Sequence, residues 1–458
     1  MKVFLLMTSV ESQNIGLPSN NSIYPSGLGY LSSVLKEEKY NVLVKDYALI
    51  SEEICLNEVR KILEIYNPEV LGISIMSMSR VSAYKVVKIA KEFNPKIKII
   101  AGGMHSSVMY EQLLNNFPID AVAIGEAEET IKELIPALMK NKDLKKIKGI
   151  AFKKNDKMIK TKPRQLIKDI DSFPFPDHQS FMNAERTNAC ILSSRGCPSN
   201  CSYCCLKTIS KGVWRQRSYT NVIEEVEFIL KNFPQIKQIE FSDDTFTLNE
   251  KRVIDFCREI VKRNIKVNFV CSARIIPMSE EMLSNMEKAG FKEIRFGIET
   301  GSRKMLELIH KNITPEDIIR TYEICSKFPK IRFVHFLMVG FPQETNETIT
   351  ETIKLIKKID KLVPTDFFYA TPLWVYPGTE VYETMKSKGK IDDSYWLTDK
   401  PCPLYTGEHP KAQIIKWSNR ISLELCLAKG KLYFIKFMLK KFANNPIYEL
   451  KKFVNKIV

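Results

Sequence analysis

The sequence predicts an α/β protein with two successive parallel sheets, because two stretches alternate short apolar runs with helical patterns. The first covers residues 1–137, and the second covers 190–390 with six strand and helix units. Such alternation forms parallel sheets covered by helices. A closed eight-unit barrel needs about 250 residues. We therefore expect a Rossmann-like, doubly wound N-terminal sheet, followed by a six-unit βα partial TIM barrel.

Five apolar runs define the strands expected in the N-terminal sheet. They are KVFLLMT, YNVLVKDY, EVLGISIM, KIKIIAGGM and DAVAIGE. Ligands of such sheets bind at the carboxyl ends of the strands. Small or polar residues stand at these ends, namely Ser74, Gly102, Gly103, Gly125 and Glu126.

Residues 138–189 interrupt the alternation and are expected to form a linker. Within it, GIAFKKNDKMIKT predicts a hairpin that turns at Asn155 and Asp156. After it we expect strands near 190–195, 238–243, 267–273, 293–299, 332–339 and 366–374. Residues 391–458 are expected to form a small, basic, mostly helical region.

Composition and cysteine usage restrict the class of protein. The chain has 458 residues, of which 44% are hydrophobic and 27% charged, as in soluble globular proteins. Its first residues lack the pattern of a signal peptide, and no apolar run approaches the length of a membrane span. Eleven cysteines, four of them between 197 and 205, do not resemble a secreted disulfide framework. We therefore expect a cytoplasmic protein.

The stretch RGCPSNCSYCC, residues 195–205, places Cys197, Cys201 and Cys204 at CxxxCxxC spacing. Three thiolates on one short loop can hold three irons of a four-iron cluster, which leaves the fourth iron open to a substrate or cofactor. Zinc sites favour paired CxxC groups with a distant second pair, which this sequence lacks. We expect these three cysteines to be cluster ligands and Cys205 to be a bystander.

This spacing, with the aromatic Tyr203 before the last cysteine, resembles the signature of the radical S-adenosylmethionine (SAM) enzymes. EFSDDTFTLN, CSAR, RFGIETGS, FLMVGFPQET and YPGTEVY are similar to the strand-end motifs of that superfamily. The resemblance implies that the open iron binds SAM, and that one electron cleaves it to a 5′-deoxyadenosyl radical. By position it implies SAM contacts from Tyr203, Asp243, Ser272, Arg274 and Glu299. The alternatives are a helix cap for the aspartate and a cation partner for Glu299.

The N-terminal region resembles the cobalamin-binding domain of one branch of this superfamily. YPSGLGYLSSVL, GISIMS, AGGMHSS and IGEAEET follow the order of that branch, and IKDIDSFPFPD matches its approach to the cysteine loop. No DxHxxG motif offers a histidine to cobalt, so the resemblance implies that cobalamin binds with its own base displaced. For His105 a structural role is the alternative. The implied cobalamin contacts are Tyr24, Ser26, Gly27, Ser74, Gly102, Gly103, His105, Gly125 and Glu126.

The implied 4Fe-4S cluster, SAM and cobalamin favour methylation of an unactivated carbon or phosphorus through methylcobalamin. Radical cyclisation or rearrangement without methyl transfer is the alternative. A cobalamin sensor would not need the cysteine loop. Methylthiolation of RNA or protein needs three more cysteines for a second cluster, but only Cys55 and Cys190 precede Cys197. A nucleic-acid partner is therefore not expected.

The C-terminal tail carries much of the net charge of +16. Residues 429–458 contain eight Lys and one Glu, and a helix capped by Asn445 with Pro446 in its first turn is expected there. This composition suits peripheral contact with anionic lipid and a lipid-like substrate, or a helix packed on the barrel. The positive charge also suits an acidic flavodoxin or ferredoxin as electron donor.

Overall fold

The computed structural model describes residues 1–10, 24–365 and 370–430. The helix expected after Asn445, the rest of the basic tail and the first part of the sixth barrel strand lie outside the described residues. Within the described chain, every helix is too short or too polar to cross a lipid bilayer.

Seven strands form the N-terminal sheet of the described chain. They are β1 (Lys2–Met7), β2 (Asn41–Asp46), β3 (Val70–Ser74), β4 (Lys98–Gly102), β5 (Ala121–Ala123), β6 (Ile150–Lys154) and β7 (Lys157–Lys160). Their order is β2-β1-β3-β4-β5-β6-β7. β1 to β5 are parallel, as predicted, whereas β6 and β7 add antiparallel to β5. The hairpin expected in the linker thus extends the N-terminal sheet.

Helices cover both faces of this sheet, which confirms the doubly wound prediction. Val3 and Leu5 pack into the core on one face, and Phe4 and Leu6 pack into the core on the other. Both faces of β1 are therefore buried, which explains its continuous apolar sequence. The helices of this region are α1 (Ser26–Glu37), α2 (Glu52–Tyr66), α3 (Arg80–Phe93), α4 (Gly103–Val108), α5 (Tyr110–Asn116) and α6 (Glu128–Met139), with a 3₁₀ turn at Leu144–Lys146.

A six-stranded parallel sheet follows, in the order β15-β14-β13-β12-β11-β8, and confirms the partial barrel. β8 and β15 are its two edges. A short antiparallel pair, β9 with β10, lies outside it. The bounds are β8 (Asn188–Ile191), β9 (Ser194–Arg195), β10 (Arg215–Gln216), β11 (Gln238–Phe241), β12 (Asn268–Ala273), β13 (Phe291–Glu299), β14 (Arg332–Val339) and β15 (Ala370–Pro372).

Several of the helices in this part of the chain begin at side-chain caps. The Ser279 hydroxyl accepts a bond from the Met282 amide, and Thr314 forms a capping box with Asp317. The helices are α7 (Leu206–Ser210), α8 (Tyr219–Asn232), α9 (Glu250–Lys262), α10 (Glu280–Ala289), α11 (Arg303–Leu308), α12 (Pro315–Cys325), α13 (Asn346–Leu362), α14 (Glu380–Ser387) and α15 (Lys411–Ala428), with 3₁₀ turns at His178–Ser180 and Asp393–Leu397.

The segment after the barrel returns to the N-terminal sheet and fixes the two parts together. The fully buried Arg80 guanidinium, on α3, donates to the carbonyl oxygens of Trp396 (3.2 Å), Thr398 (2.9 Å) and Lys400. A buried cation without acceptors is costly. The three carbonyl groups of the post-barrel segment supply acceptors for the Arg80 guanidinium, so they make this contact specific. The segment after the barrel is thereby attached to α3 of the N-terminal part.

Candidate active site between the sheet and the barrel

The cysteine loop, residues 196–214, is closed by the β9 and β10 pair, in which Arg195 lies opposite Arg215. Cys197 and Cys201 are half-buried, and Cys204 is exposed. Among the described residues, no three His, Cys, Asp or Glu side chains converge on a single metal ion. In a four-iron cluster each thiolate binds a different iron, so the ligands surround the cluster instead of meeting at one point. Three thiols on one loop therefore fit a cluster.

A cavity of about 280 Å³, the front cavity, opens beside the cysteine loop. Four of the five residues expected to contact SAM line it, and so do the three cysteines. Its walls carry both positive and negative side chains, which suits the amino and carboxylate groups of an amino-acid ligand. The predicted residues in its wall are Cys197, Cys201, Cys204, Tyr203, Ser272, Arg274 and Glu299.

Glu299 is held in this wall by Lys311, a residue that the sequence did not indicate. The Lys311 ammonium donates to the Glu299 carboxylate (2.9 Å) and to the Tyr203 hydroxyl (3.3 Å). Burial, the largest single influence, lowers the pKa of Lys311, but the charges of Glu299 and Cys201 and the hydrogen bond to Glu299 together outweigh it, and the net shift is upward. Glu299 has a φ of 68° and lies where the β13 and β14 register shifts, a strained geometry that is common at functional sites.

The structure turns Asp243 away from the front cavity and brings Asp244 to it. The Asp243 carboxylate is buried and accepts bonds from the Ser193 amide (2.6 Å), the Ser193 hydroxyl and the Ser194 hydroxyl. Neither aspartate caps a helix, since Asn249 caps α9. Asp244 accepts a bond from the Gly196 amide (3.2 Å). Desolvation and the adjacent Asp243 carboxylate raise the pKa of Asp244 to about 6.

A second cavity of about 400 Å³, the interdomain cavity, lies between the carboxyl end of the N-terminal sheet and the back of the cysteine loop. A Cβ added at Gly27, Gly102 or Gly125 would meet no atom within 4 Å, so these glycines leave open space. Six of the nine residues expected to contact cobalamin line this cavity: Gly27, Ser74, Gly102, Gly103, Gly125 and Glu126.

The lining of the interdomain cavity fits cobalamin, which has a large ring edged with amide groups. Its walls are mostly apolar, with Leu206 and Ile209 contributed by the cysteine loop. Arg195, Ser210 and Arg215 also line it, and the buried Nε atoms of the two arginines and the Ser210 hydroxyl have no hydrogen-bond partner in the described chain. Buried donors of this kind need acceptors, and the amide oxygens of a corrin can supply them.

Tyr24 and Ser26 lie beneath the interdomain cavity and do not line it. The Tyr24 hydroxyl donates to the Cys190 carbonyl (3.2 Å) and also contacts His178 Nδ1, and its ring stacks on Phe181. Ser26 Oγ is 3.4 Å from Cys190 Sγ. These contacts join α1 to the first barrel strand.

His105 is buried and does not line the interdomain cavity either. Its Nδ1 is hydrogen-bonded to the Ser77 hydroxyl (3.0 Å), and its Nε2 is hydrogen-bonded to the Tyr84 hydroxyl (3.2 Å). Burial, with a smaller contribution from Arg80, lowers the pKa of His105 to about 3, so the ring stays neutral. Its contacts favour the structural alternative.

Comparisons with known proteins agree with this architecture. The family described as the B12 binding domain matches residues 15–135, and the radical SAM superfamily matches residues 191–356. An uncharacterized methyltransferase of Pyrococcus horikoshii is 33% identical over 462 residues, spanning 100% of this chain and 96% of the relative. An anaerobic magnesium-protoporphyrin IX monomethyl ester cyclase of Rubrivivax gelatinosus is 26% identical over 383 residues, spanning 81% and 67%.

A solved structure shares the fold. The radical SAM methyltransferase TsrM from Kitasatospora setae, with cobalamin and a [4Fe-4S] cluster bound, aligns with a TM-score of 0.69 at 18% identity, covering 89% of this chain and 80% of TsrM. Fold and family together define an enzyme that uses radical SAM chemistry. The chain belongs to the cobalamin-dependent radical SAM enzymes, and its cofactors are a 4Fe-4S cluster, SAM and cobalamin.

Proposed function

We propose that the enzyme methylates an unactivated carbon or phosphorus atom of a small-molecule substrate. The observation that carries this proposal is that the two cavities are adjacent, since Asp244 and Leu206 line both. We expect the substrate to bind beside these two residues, within reach of both cofactor sites. When bound, the cluster with SAM supplies a carbon-centred radical, and cobalamin supplies a methyl group. The relative that is similar over the whole chain is itself named a methyltransferase.

In the front cavity, charge and position suggest a role for each side chain. The Arg274 guanidinium pairs with the SAM carboxylate, and the Glu299 carboxylate accepts from the SAM amino group. Lys311 holds the Glu299 carboxylate in position, because its ammonium lies 2.9 Å from the carboxylate. Tyr203 and Ser272 complete the wall. The proposed cluster ligands are Cys197, Cys201 and Cys204.

In the interdomain cavity, glycines form the surface that contacts cobalamin. Gly102 ends β4 and Gly125 follows the neighbouring strand β5, and the missing side chains leave the room that a corrin needs. Gly103 has a φ of 90° and passes close to Ile75, so it also shapes the loop. The remaining cobalamin contacts that we propose in this cavity are Gly27, Ser74 and Glu126.

Radical cyclisation or rearrangement without methyl transfer is the second candidate. The relative from Rubrivivax gelatinosus, named a cyclase, supports it. Methylation is preferred because the relative named a methyltransferase has the higher identity and spans the complete chain.

The test uses anaerobically reconstituted enzyme, a strong reductant and SAM with a deuterated methyl group. We expect S-adenosylhomocysteine together with 5′-deoxyadenosine, and with substrate a product that carries one labelled methyl group. Gly102→Leu, which fills the interdomain cavity, should lose S-adenosylhomocysteine and keep 5′-deoxyadenosine. Formation of 5′-deoxyadenosine alone by the unaltered enzyme would contradict methylation and favour cyclisation.

The electron donor and the membrane contact are further proposals. The net charge of +16 supports docking of an acidic flavodoxin or ferredoxin. The lysine-rich, apolar tail supports peripheral contact with anionic lipid, and hence a lipid-like substrate. In flotation with anionic liposomes, the full chain should rise with the liposomes, whereas a chain truncated after residue 430 should not. Equal behaviour of the two chains would contradict the membrane proposal.

A further inference from the structure

The ends of the cysteine loop reach across to the N-terminal sheet through two arginines. Arg195 and Arg215 face each other in the β9 and β10 pair, so they define the neck from which the cysteine loop projects. Both lie in the barrel part of the chain. Their partners, Glu126 and Glu128, lie between β5 and the first turn of α6 in the N-terminal part. We call these four residues the neck clamp.

The neck clamp is a set of direct, charge-assisted contacts. Arg215 binds Glu126 through both terminal nitrogens, with Nη1 at 2.9 Å from Oε2. Arg195 Nη2 lies 2.7 Å from the Glu128 carboxylate, and its Nη1 lies 3.8 Å from Glu126. Arg215 also donates to the Ile167 carbonyl (2.7 Å), in the connection between sheet and barrel. Bidentate arginine contacts fix orientation as well as distance.

The neck clamp is buried and carries no net charge. The exposed fractions of the side chains are 9% for Arg215, 16% for Glu126, 10% for Arg195 and 6% for Glu128. Burial alone would raise the pKa of Glu126, but the two arginines outweigh it and the net shift is downward. Removal of one member leaves a buried charge without its partner, which is more costly than removal of a matched pair.

All four residues also line the interdomain cavity. A ligand in that cavity therefore packs against the side chains that hold the neck of the cysteine loop. We propose that the neck clamp couples the two cofactor sites, so that cobalamin binds more tightly when the cluster is present and cobalamin in turn protects the cluster. Glu126 and Arg215 are then positioning residues. The inference depends on the two cofactor sites and not on methyl transfer.

The coupling is measurable without a substrate. Cobalamin affinity is determined on protein reconstituted with and without iron and sulfide, and loss of the iron–sulfur absorption to a chelator is followed with and without cobalamin. We expect about tenfold tighter cobalamin binding with the cluster, within the usual range for coupled sites, and slower cluster loss with cobalamin. Equal cobalamin affinity in both forms of the unaltered protein would overturn the proposal.

Matched variants assign the coupling to the neck clamp. Glu126→Gln and Arg215→Gln each leave a buried charge and should lower stability, whereas the Glu126→Gln/Arg215→Gln double variant balances the charge and should fold. Because Glu126 is also a proposed cobalamin contact, the double variant should bind cobalamin more weakly both with and without the cluster, and the ratio of the two affinities should fall to less than about twofold. Glu129→Gln, which alters a pair with Lys132 on the same helix, should keep the full ratio. Retention of tenfold coupling in the double variant would also overturn the proposal.

Discussion

The front cavity and the interdomain cavity are lined by different kinds of residue. The front cavity brings charged side chains together, with Arg274, Glu299 and Lys311 in one wall. The interdomain cavity is mainly glycine and apolar surface, and its charges other than Asp244 are paired at the neck clamp. The first suits a small zwitterion held by direct charge contacts, and the second suits a large ring held by shape. Loss of a charge should therefore weaken ligand binding in the front cavity, and added side-chain volume should weaken ligand binding in the interdomain cavity.

The largest effect is expected where the cysteine loop loses a ligand. Cys201→Ala should lose the cluster and reduce 5′-deoxyadenosine formation to background, because the radical comes from the cluster. Iron and cobalt analysis of the anaerobic protein checks the result. With cobalamin in excess, cobalt should stay near one per chain in spite of the weaker binding expected without the cluster, and retention of the cluster would show that Cys201 is not a ligand. Cys205→Ala, on the same loop, is the matched control and should keep the iron.

Added volume should disable the interdomain cavity alone. Gly102→Leu projects into open space and should weaken cobalamin binding by about 10- to 100-fold, the effect of overfilling a site. SAM binding should not change. Equilibrium dialysis of cobalamin and SAM measures both effects. Gly102→Ala adds one carbon atom and should have a smaller effect; equal effects of the two variants would contradict a role for volume.

Loss of one charge should disable the front cavity alone. Lys311→Met leaves the Glu299 carboxylate without its cation and should weaken SAM binding to the cluster-loaded protein by about tenfold. Cobalamin affinity should remain within about twofold. Isothermal titration with SAM checks the change, and Lys304→Met, at an exposed lysine on the preceding helix, serves as control. A lower affinity for cobalamin with an unchanged affinity for SAM would contradict the assignment of Lys311 to the front cavity.

The smallest effect on cofactors is expected at His105. The folded state holds its pKa near 3, below its ordinary 6.5, so its contribution to stability is present above pH 6.5 and is lost as the pH falls toward 3. In urea titrations, the free energy of unfolding of the unaltered protein should fall by about 1.4 kcal/mol per pH unit below pH 6 because of this residue. His105→Gln should remove that dependence and leave cobalamin affinity unchanged. A large loss of cobalamin affinity in this variant would show that His105 contributes to the cofactor site.

The sequence was most informative where a site is contiguous or a pattern is periodic. The strands of both sheets, the hairpin turn at Asn155 and Asp156 and the cysteine spacing all follow from local rules. The pairing of that hairpin with β5 could not be predicted, because antiparallel pairing at a sheet edge is a non-local contact.

Three features of the site were hidden for physical reasons. Asp243 and Asp244 are adjacent, and near a strand end the sequence cannot say which of the two faces the cavity. Lys311 lies between His310 and Asn312, both with positive φ, where no periodic pattern applies. The neck clamp joins residues that are 67 to 89 positions apart, so it exists only after the two parts of the chain have met.

The most direct test of the account is anaerobic reconstitution with iron, sulfide and hydroxocobalamin, followed by metal analysis of the unaltered protein and the Cys197/Cys201/Cys204→Ala variant. We expect about four irons and one cobalt per chain, with iron lost and, with cobalamin in excess, cobalt kept in the variant. Iron without cobalt in the unaltered protein would contradict a cobalamin site in the interdomain cavity and remove the basis for methyl transfer.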